Sequence, residues 1–152
     1  MDLSAKTLTC QGCAEFTLLD SNQRAITVKQ LTLSTASGII GVQIDQPLAI
    51  NRSYQWVFSI LADPNSPSQN PVVEGIVRRV APNAQLSAAL DRVSNQRERV
   101  AVLAQHGIWH NALTHLADLR RAEPTNLMVV QDWSDFLGSV GLGAIANESL
   151  LN

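Results

Sequence analysis

The sequence predicts an α+β fold, with an N-terminal antiparallel sheet followed by a group of helices. Between residues 13 and 80, apolar side chains alternate with polar ones, which is the period of half-buried β-strands. After Pro82 the apolar residues recur at the spacing of one helix face. The intervening segment APNA is too short for a flexible linker. We therefore expect a strand module (1–81) and a helical module (82–152) to pack as one compact unit.

Five runs of β-forming residues predict the strands. The fourth run alternates most clearly, because Tyr54, Trp56, Phe58 and Ile60 share one face. Turn-forming segments such as DSNQR and DPNSPSQNP separate the runs. These connections are too short for parallel crossovers, so the strands should form an antiparallel meander. The predicted ranges are 13–19, 26–33, 39–44, 54–62 and 72–80.

Four apolar stripes with the helical period predict about four helices, within 86–93, 97–105, 109–119 and 127–141. Gly107 should separate the second helix from the third, because glycine tolerates the left-handed conformation at a helix end. Pro124 should terminate the third helix.

The middle two helices resemble a tetratricopeptide repeat. The small residue Ala112 stands where two such helices approach closely, with Gly107 at the turn and Pro124 after the second helix. The helix within 127–141 would begin the next repeat and act as a cap. A generic helical hairpin produces much of the same pattern, so both interpretations stay open.

Leu48 and Tyr54 resemble the tyrosine corner of immunoglobulin-like and fibronectin-like β-sandwiches. In such corners the tyrosine hydroxyl bonds to a nearby backbone group and the leucine fills the turn. The alternation alone would also allow a single sheet covered by helices. Five strands are fewer than the usual seven, so the sandwich should be incomplete and should leave an open edge that favours self-association.

Composition excludes several classes of function. The 152 residues carry 11 Lys and Arg against 13 Asp and Glu, without a basic run, so we expect no nucleic-acid partner. No stretch approaches the roughly 20 apolar residues of a membrane span. The first residues lack the pattern of a secretory signal, so the chain as written should be soluble and cytoplasmic.

Histidines and cysteines are the first candidates for a metal site. His110 and His115 are five residues apart, so about 140° of helix separates them and they cannot share an ion. His106 should lie at a helix end, where the dipole favours its protonated form. Cys10 and Cys13 form a CxxC motif with no second pair. Free thiols are the favoured interpretation, and a metal or disulfide across a dimer is the alternative.

The sequence contains no recognisable catalytic constellation. The motifs GxSxG, GxGxxG, HExxH and the phosphate-binding P-loop are all absent, so we expect neither an enzyme nor a cofactor. Asp132 and Asp135 should lie on a solvated helix face beside Trp133.

The segment ADPNSPSQNPVVEGIVRRV contains the candidate binding residues. Its prolines should stiffen a loop at 63–71 between two strands, a common position for a binding surface. Glu74 and Arg78 are four apart on one strand face, so one of the two arginines could pair with Glu74 or bind a carboxylate. The alternative is an ordinary hairpin followed by a salt-bridged strand. The candidates are Asp63, Asn65, Asn70, Glu74, Arg78 and Arg79.

Long stretches of the chain resemble one known family. They are AEFTLLD (14–20), YQWVFSILADPNSPSQNPVVEGIVRRV (54–80), RERVAVLAQHGIWHNALTHLADLRR (97–121) and DWSDFLGSVGLGAIANESL (132–150). Together they are similar to the cyanobacterial domain-of-unknown-function family 928, which has no established activity. Members usually carry an export signal and a further N-terminal strand region, so the resemblance implies an extracytoplasmic location. Residues 1–12 look unlike that region.

These observations favour a non-enzymatic module that binds a protein or peptide. The ligand could occupy the 63–71 loop, an open strand edge, or the groove of the helical pair. The alternative is a structural subunit that forms homo-oligomers through its incomplete sandwich.

Overall fold

The computed structural model describes residues 12–63 and 65–151 and has the predicted α+β composition. Its strands are β1 (Cys13–Leu19), β2 (Ala25–Thr32), β3 (Ser53–Leu61) and β4 (Val72–Arg78). Its α-helices are α1 (Ala84–Asp91), α2 (Gln96–Gln105), α3 (Trp109–Ala122) and α4 (Leu127–Ser139), and short 3-10 turns occupy Pro67–Gln69 and Gly143–Ile145.

The chain divides into two compact units. One unit contains the sheet, with the described residues up to Ala36 and with Val42–Ala81. The other unit contains the helices from Pro82 onwards and also the segment Ser37–Gly41, which the sequence analysis assigned to the strand module.

The sheet unit is a four-stranded antiparallel sheet in the order β2-β1-β3-β4. Phe16 of β1 stands opposite Phe58 of β3, and Leu18 stands opposite Trp56, so these side chains share one face. We call it the aromatic face. Phe16 and Leu18 of the inner strand β1 are buried.

The predicted strand at 39–44 is wrong. Ile39 forms an isolated parallel bridge with Leu150, which lies beyond the last helical turn. The Ile39 N–H donates to the Ser149 carbonyl at 2.8 Å, and the Leu151 N–H donates to the Ile39 carbonyl at 2.9 Å. Ile39 is therefore partly buried against the core of the helical unit, and the segment adds no strand to the sheet.

The Tyr54 hydroxyl bonds to the backbone of the turn that precedes β3. The Ala49 N–H donates to the Tyr54 hydroxyl oxygen at 3.0 Å. Tyr54 projects from the aromatic face, as does Lys29 of β2, whose ammonium group contacts the Gln43 carbonyl and pairs with Asp45 at 2.7 Å. The segment 43–49 therefore lies against this face. The described residues form one sheet, so the second layer of the predicted sandwich stays a prediction.

Gly75 of β4 leaves room for a tryptophan ring. It stands opposite Trp56, and a Cβ at Gly75 would lie 2.6 Å from Cζ2 of the indole. Only glycine allows the indole to lie this close to the β4 backbone, where it covers the gap that glycine leaves on the aromatic face.

Three of the four described helices begin at asparagine, whose side-chain oxygen accepts a backbone N–H of the first turn and stabilises the helix end. The pairs are Asn83 with Leu86, Asn95 with Glu98, and Asn126 with Met128. Gly107 has φ +72° between α2 and α3, which is the left-handed conformation expected from the sequence.

The helical unit has its own apolar core, to which all four helices contribute. Ala112 is fully buried and Trp133 is 1% exposed, and the Trp133 indole donates to the Ala146 carbonyl at 3.1 Å. None of the described helices is long and apolar enough to cross a membrane. The core residues are Leu86, Val100, Leu103, Ala112, Leu116, Ala117, Trp133, Leu137 and Ala146.

Candidate functional site

The predicted binding residues of the 63–71 loop bond to the loop itself. The Asn70 side-chain oxygen accepts the N–H groups of Ala62 and Asp63 at 3.1 and 3.2 Å. The Asp63 carboxylate accepts the Asn65 N–H at 2.8 Å. Two of the three side chains are thus acceptors for the loop backbone, a role typical of Asp and Asn in turns.

The ion pair that one of the two arginines could form with Glu74 is absent from the ion pairs of the described residues. Glu74 and Arg78 do lie on one face of β4, but four residues along a strand span about 13 Å, too far for a contact. Glu74 instead accepts a hydrogen bond from the Gln55 side chain at 3.1 Å. Within residues 12–63 and 65–151, Arg78 takes part in none of the ion pairs.

Arg79 stabilises the segment that precedes β3. Its guanidinium donates to the Leu48 carbonyl at 2.9 Å, and its own carbonyl accepts the Asn51 N–H at 2.7 Å. The loop lies at one end of β4 and the two arginines at the other, about 20 Å apart along the strand. The fold therefore does not gather the six predicted residues into one site.

The CxxC motif is only partly described. Cys13 is buried and disulfide-bonded, so it does not carry the free thiol that the sequence favoured. Cys10 lies outside the described residues. In the part of the chain that the structure describes, no three His, Cys, Asp or Glu side chains are placed to hold a metal ion together.

The histidines have local roles. The His106 ring contacts the Val102 carbonyl at 2.9 Å at the end of α2. His110 meets the Trp109 ring edge-on, with 5.0 Å between ring centroids. Desolvation lowers the pKa of His110 below 6.5, because loss of water disfavours the charged imidazolium.

A groove in the helical unit lies between α2 and α4, with α3 contributing to its floor. Its volume is about 580 Å³. Buried Val100 and Leu116 and half-buried Phe136 give it an apolar floor. Trp109 stacks on Phe136, with 5.8 Å between ring centroids, and so restrains that side chain.

An ion pair joins the two helices that border the groove. The Arg97 guanidinium of α2 donates to both carboxylate oxygens of Asp132 of α4, through Nε to Oδ2 and through Nη2 to Oδ1 at 3.0 Å. This bidentate geometry restrains both side chains. The Asp132 carboxylate also raises the pKa of Arg97. Asp132 is thus not the simple solvated residue that the sequence predicted.

The groove has an excess of negative charge. Three carboxylates line it, those of Glu98, Asp132 and Asp135, against one guanidinium, that of Arg97. Since Arg97 is paired with Asp132, Glu98 and Asp135 supply the net charge. Asp135 also accepts a hydrogen bond from Gln131 at 2.8 Å.

The groove predicted from the sequence was that of the pair α2 and α3, whereas this groove lies between α2 and α4, and none of its charged residues was a predicted candidate. Arg97 and Asp132 are 35 residues apart, and only the packing of α2 beside α4 brings them together. One feature of the sequence could have pointed to this groove, namely the repeat-like spacing of the helices. In stacked helical repeats the first helices of successive pairs, here α2 and α4, lie next to one another.

A family model matches residues 9–150, and its description reads Domain of Unknown Function (DUF928). This chain belongs to the DUF928 family. The match covers both the sheet and the helices, so the α+β arrangement corresponds to the region that defines DUF928. No curated protein and no solved structure matches the chain.

Proposed function

We propose that this DUF928 chain is a non-enzymatic binding module whose α2–α4 groove holds an extended segment of a partner protein. The observation that carries the proposal is the groove itself, an apolar floor of Val100, Leu116 and Phe136 with charged side chains around it. A floor of this kind can receive one or two apolar side chains, and the surrounding charges select their neighbours.

The repeat-like order of the helices supports this choice. We propose that α2 and α3 act as a tetratricopeptide-like pair and that α4 acts as the first helix of the next pair. In stacked helical repeats the successive first helices line an extended concave surface that receives partners. The Arg97–Asp132 pair spans α2 and α4 and would hold the width of the groove constant in the free protein.

Charge indicates what the partner segment contains. Glu98 and Asp135 have no partner of opposite charge among the described residues, so lysine or arginine side chains would be attracted to them. We therefore propose a ligand with an apolar side chain flanked by basic residues. Binding should weaken as salt concentration rises, because exposed charges are screened.

Peptide titration tests this proposal. Isothermal titration calorimetry would compare an unstructured peptide that alternates leucine and lysine with one that alternates leucine and glutamate. We expect binding of the lysine peptide, and Asp135→Lys should weaken it about fivefold or more by adding repulsion. Asp118→Lys is the matched control, because Asp118 is also a helical carboxylate bonded to its own helix but lies outside the groove.

Three results would count against the groove. They are the absence of binding by either peptide, equal binding of both, and an equal effect of Asp135→Lys and Asp118→Lys.

An extracytoplasmic location in a cyanobacterium is the further proposal that the family resemblance supports. A disulfide at Cys13 fits an oxidising compartment, since disulfides are rare in the cytosol. Fractionation of the source cells, with detection of the native protein, would test the location. Recovery from the cytosolic fraction alone would refute it.

A second candidate function is self-assembly through the sheet. Strand β4 is an edge of the sheet and exposes apolar side chains on both faces, including Val72, Val73 and Ile76. We propose that the sheet is one layer of an incomplete immunoglobulin-like sandwich and that a second copy meets it at an open edge. Edges of this kind promote pairing with another chain.

A further inference from the structure

The backbone of β4 has one side that is paired and one that is not. The Ile60 N–H donates to the Pro71 carbonyl at 2.9 Å, which shows that odd-numbered residues of β4 point their backbone groups towards β3. The even-numbered residues Val72, Glu74, Ile76 and Arg78 therefore point theirs away from it. Among the described residues, β3 is the only sheet neighbour of β4.

This edge lacks the lysine or proline that often protects a sheet edge. Ile76, next to the strand centre at Gly75, is 71% exposed, and Val72 is 53% exposed. The opposite edge strand, β2, carries Lys29 near its middle, and lysine is a common protection against edge pairing. No proline or lysine interrupts β4.

The charges of β4 are complementary to themselves. Glu74 precedes Ile76 by two residues and Arg78 follows it by two. If a second copy lies antiparallel with Ile76 opposite its own equivalent, Glu74 stands opposite the partner's Arg78, and Arg78 opposite the partner's Glu74. Residues directly opposite on one face of an antiparallel pair are close enough for their side chains to interact.

No other register of the same strands achieves both pairs. Centring the contact on position 74 or 78 places like charges opposite each other, which is destabilising. Centring it on position 75 or 77 places each charge opposite an uncharged or non-complementary position. Only the Ile76-centred register combines outward backbone groups, apolar contact and two ion pairs.

We propose that two copies of this chain join their β4 strands antiparallel about Ile76 and form a continuous eight-stranded sheet. The inference rests on the second candidate function, self-assembly at an open edge, and adds the partner, the strand and the register. Cross-strand pairs of Glu74 with the partner's Arg78 define that register.

Charge exchange on the full chain tests the register. Sedimentation velocity over a range of concentrations would compare the original protein with Glu74→Arg, with Arg78→Glu and with the double variant. Each single change places like charges opposite each other twice. The dissociation constant of the dimer should therefore rise about tenfold or more. The double variant restores opposite charges and should recover the dimer, which a general loss of stability would not produce.

A cysteine cross-link supplies an independent measurement. The two Cα atoms at position 76 would lie about 5.5 Å apart, within the range of a disulfide. Ile76→Cys should therefore give a covalent dimer under mild oxidation. Val28→Cys is the control, because Val28 is an exposed apolar residue on the opposite edge strand.

The outcomes separate the two proposals. A dimer that single exchanges weaken and the double variant restores supports the register. A dimer that is indifferent to the exchanges, or that cross-links equally through position 28, refutes the β4 register and leaves self-assembly standing. An original protein that stays monomeric at every concentration refutes both. Thermal melting confirms that each variant is folded, because Glu74 also accepts a hydrogen bond from Gln55.

Discussion

Gly38→Ala should destabilise the helical unit, because Gly38 packs directly against the backbone near the end of the chain. A Cβ at this position would lie 2.7 Å from the Ser149 carbonyl oxygen and 2.8 Å from Cδ1 of Leu151. The carbonyl cannot easily move away, because it accepts the Ile39 N–H at 2.8 Å. The contact is therefore relieved only by shifting the segment that joins Ile39 to Ser149 and Leu151.

The expected loss follows from the groups that must move. Overpacking at a tight site costs about 1–3 kcal/mol. Alanine also restricts the unfolded chain, and this effect offsets about 0.4–1 kcal/mol of the loss in folding free energy. The net loss in free energy of unfolding should be about 1–2 kcal/mol. In a chain of this size, each kcal/mol should lower the melting temperature by about 2–4 °C.

The matched control is Gly138→Ala. Gly138 lies within α4, and a Cβ there would meet nothing within 4 Å. The same substitution should stabilise this helix by about 0.5–1 kcal/mol, since glycine is a poor helix former. Urea denaturation followed by far-ultraviolet circular dichroism would compare both variants with the original protein. If Gly38→Ala is as stable as the original, the placement of 37–41 in the helical unit is wrong.

Two further predictions concern single side chains. Tyr54→Phe removes the acceptor of the Ala49 N–H and should cost about 0.5–1.5 kcal/mol in urea denaturation, and an unchanged midpoint would mean that the corner bond adds no stability. The lowered pKa of His110 means that the unfolded chain binds a proton more readily, so this group's contribution is complete above pH 6.5 and is lost as pH falls from there towards the lower folded pKa. Melting temperatures across that interval should fall less for His110→Gln than for the original protein, and parallel pH profiles would contradict the assignment.

The strands and helices could be predicted because their signal is local. Strand β1 occupies the predicted range 13–19, and β3 and β4 begin within one residue of their predicted starts. Side chains on a strand alternate between faces, and side chains on a helix return to the same face about every 3.6 residues. Burying one face therefore produces an apolar period in the sequence that can be read directly. Gly107 and Pro124 were informative for the same reason, because their backbone preferences act within one turn.

The segment at 39–44 shows where this local signal fails. Alternating apolar residues indicate that a segment is buried, but they do not indicate which surface buries it. Ile39 bonds to Ser149 and Leu151, more than 100 residues away in the chain, and no local pattern distinguishes that partner from a neighbouring strand. The alternation therefore correctly indicated that Ile39 is partly buried, but the strand pairing predicted from it was wrong.

The candidate sites show the same limit. Asp63 and Asn70 were selected for residue types that suit both ligand binding and turn formation, and in the fold they accept bonds from the loop backbone. The groove charges Arg97 and Asp132 lie on two helices that are not consecutive in the chain. Arginine and aspartate are both common on helix surfaces, so neither residue stands out in the sequence. Only their contact in the folded chain marks them as part of a groove.

The amino-acid sequence by itself determined the four strands and four helices that the structure describes, but not that 39–44 lies outside the sheet, because backbone preference and apolar period act over a few residues. It also determined the helix boundaries at Gly107 and Pro124 and the hydrogen bond between the Tyr54 hydroxyl and the preceding turn. The tertiary structure alone decided that 37–41 joins the helices and that α2 and α4 enclose an acidic groove. These are contacts between distant segments, and their free energy depends on shape and distance in space, which no short stretch of sequence contains.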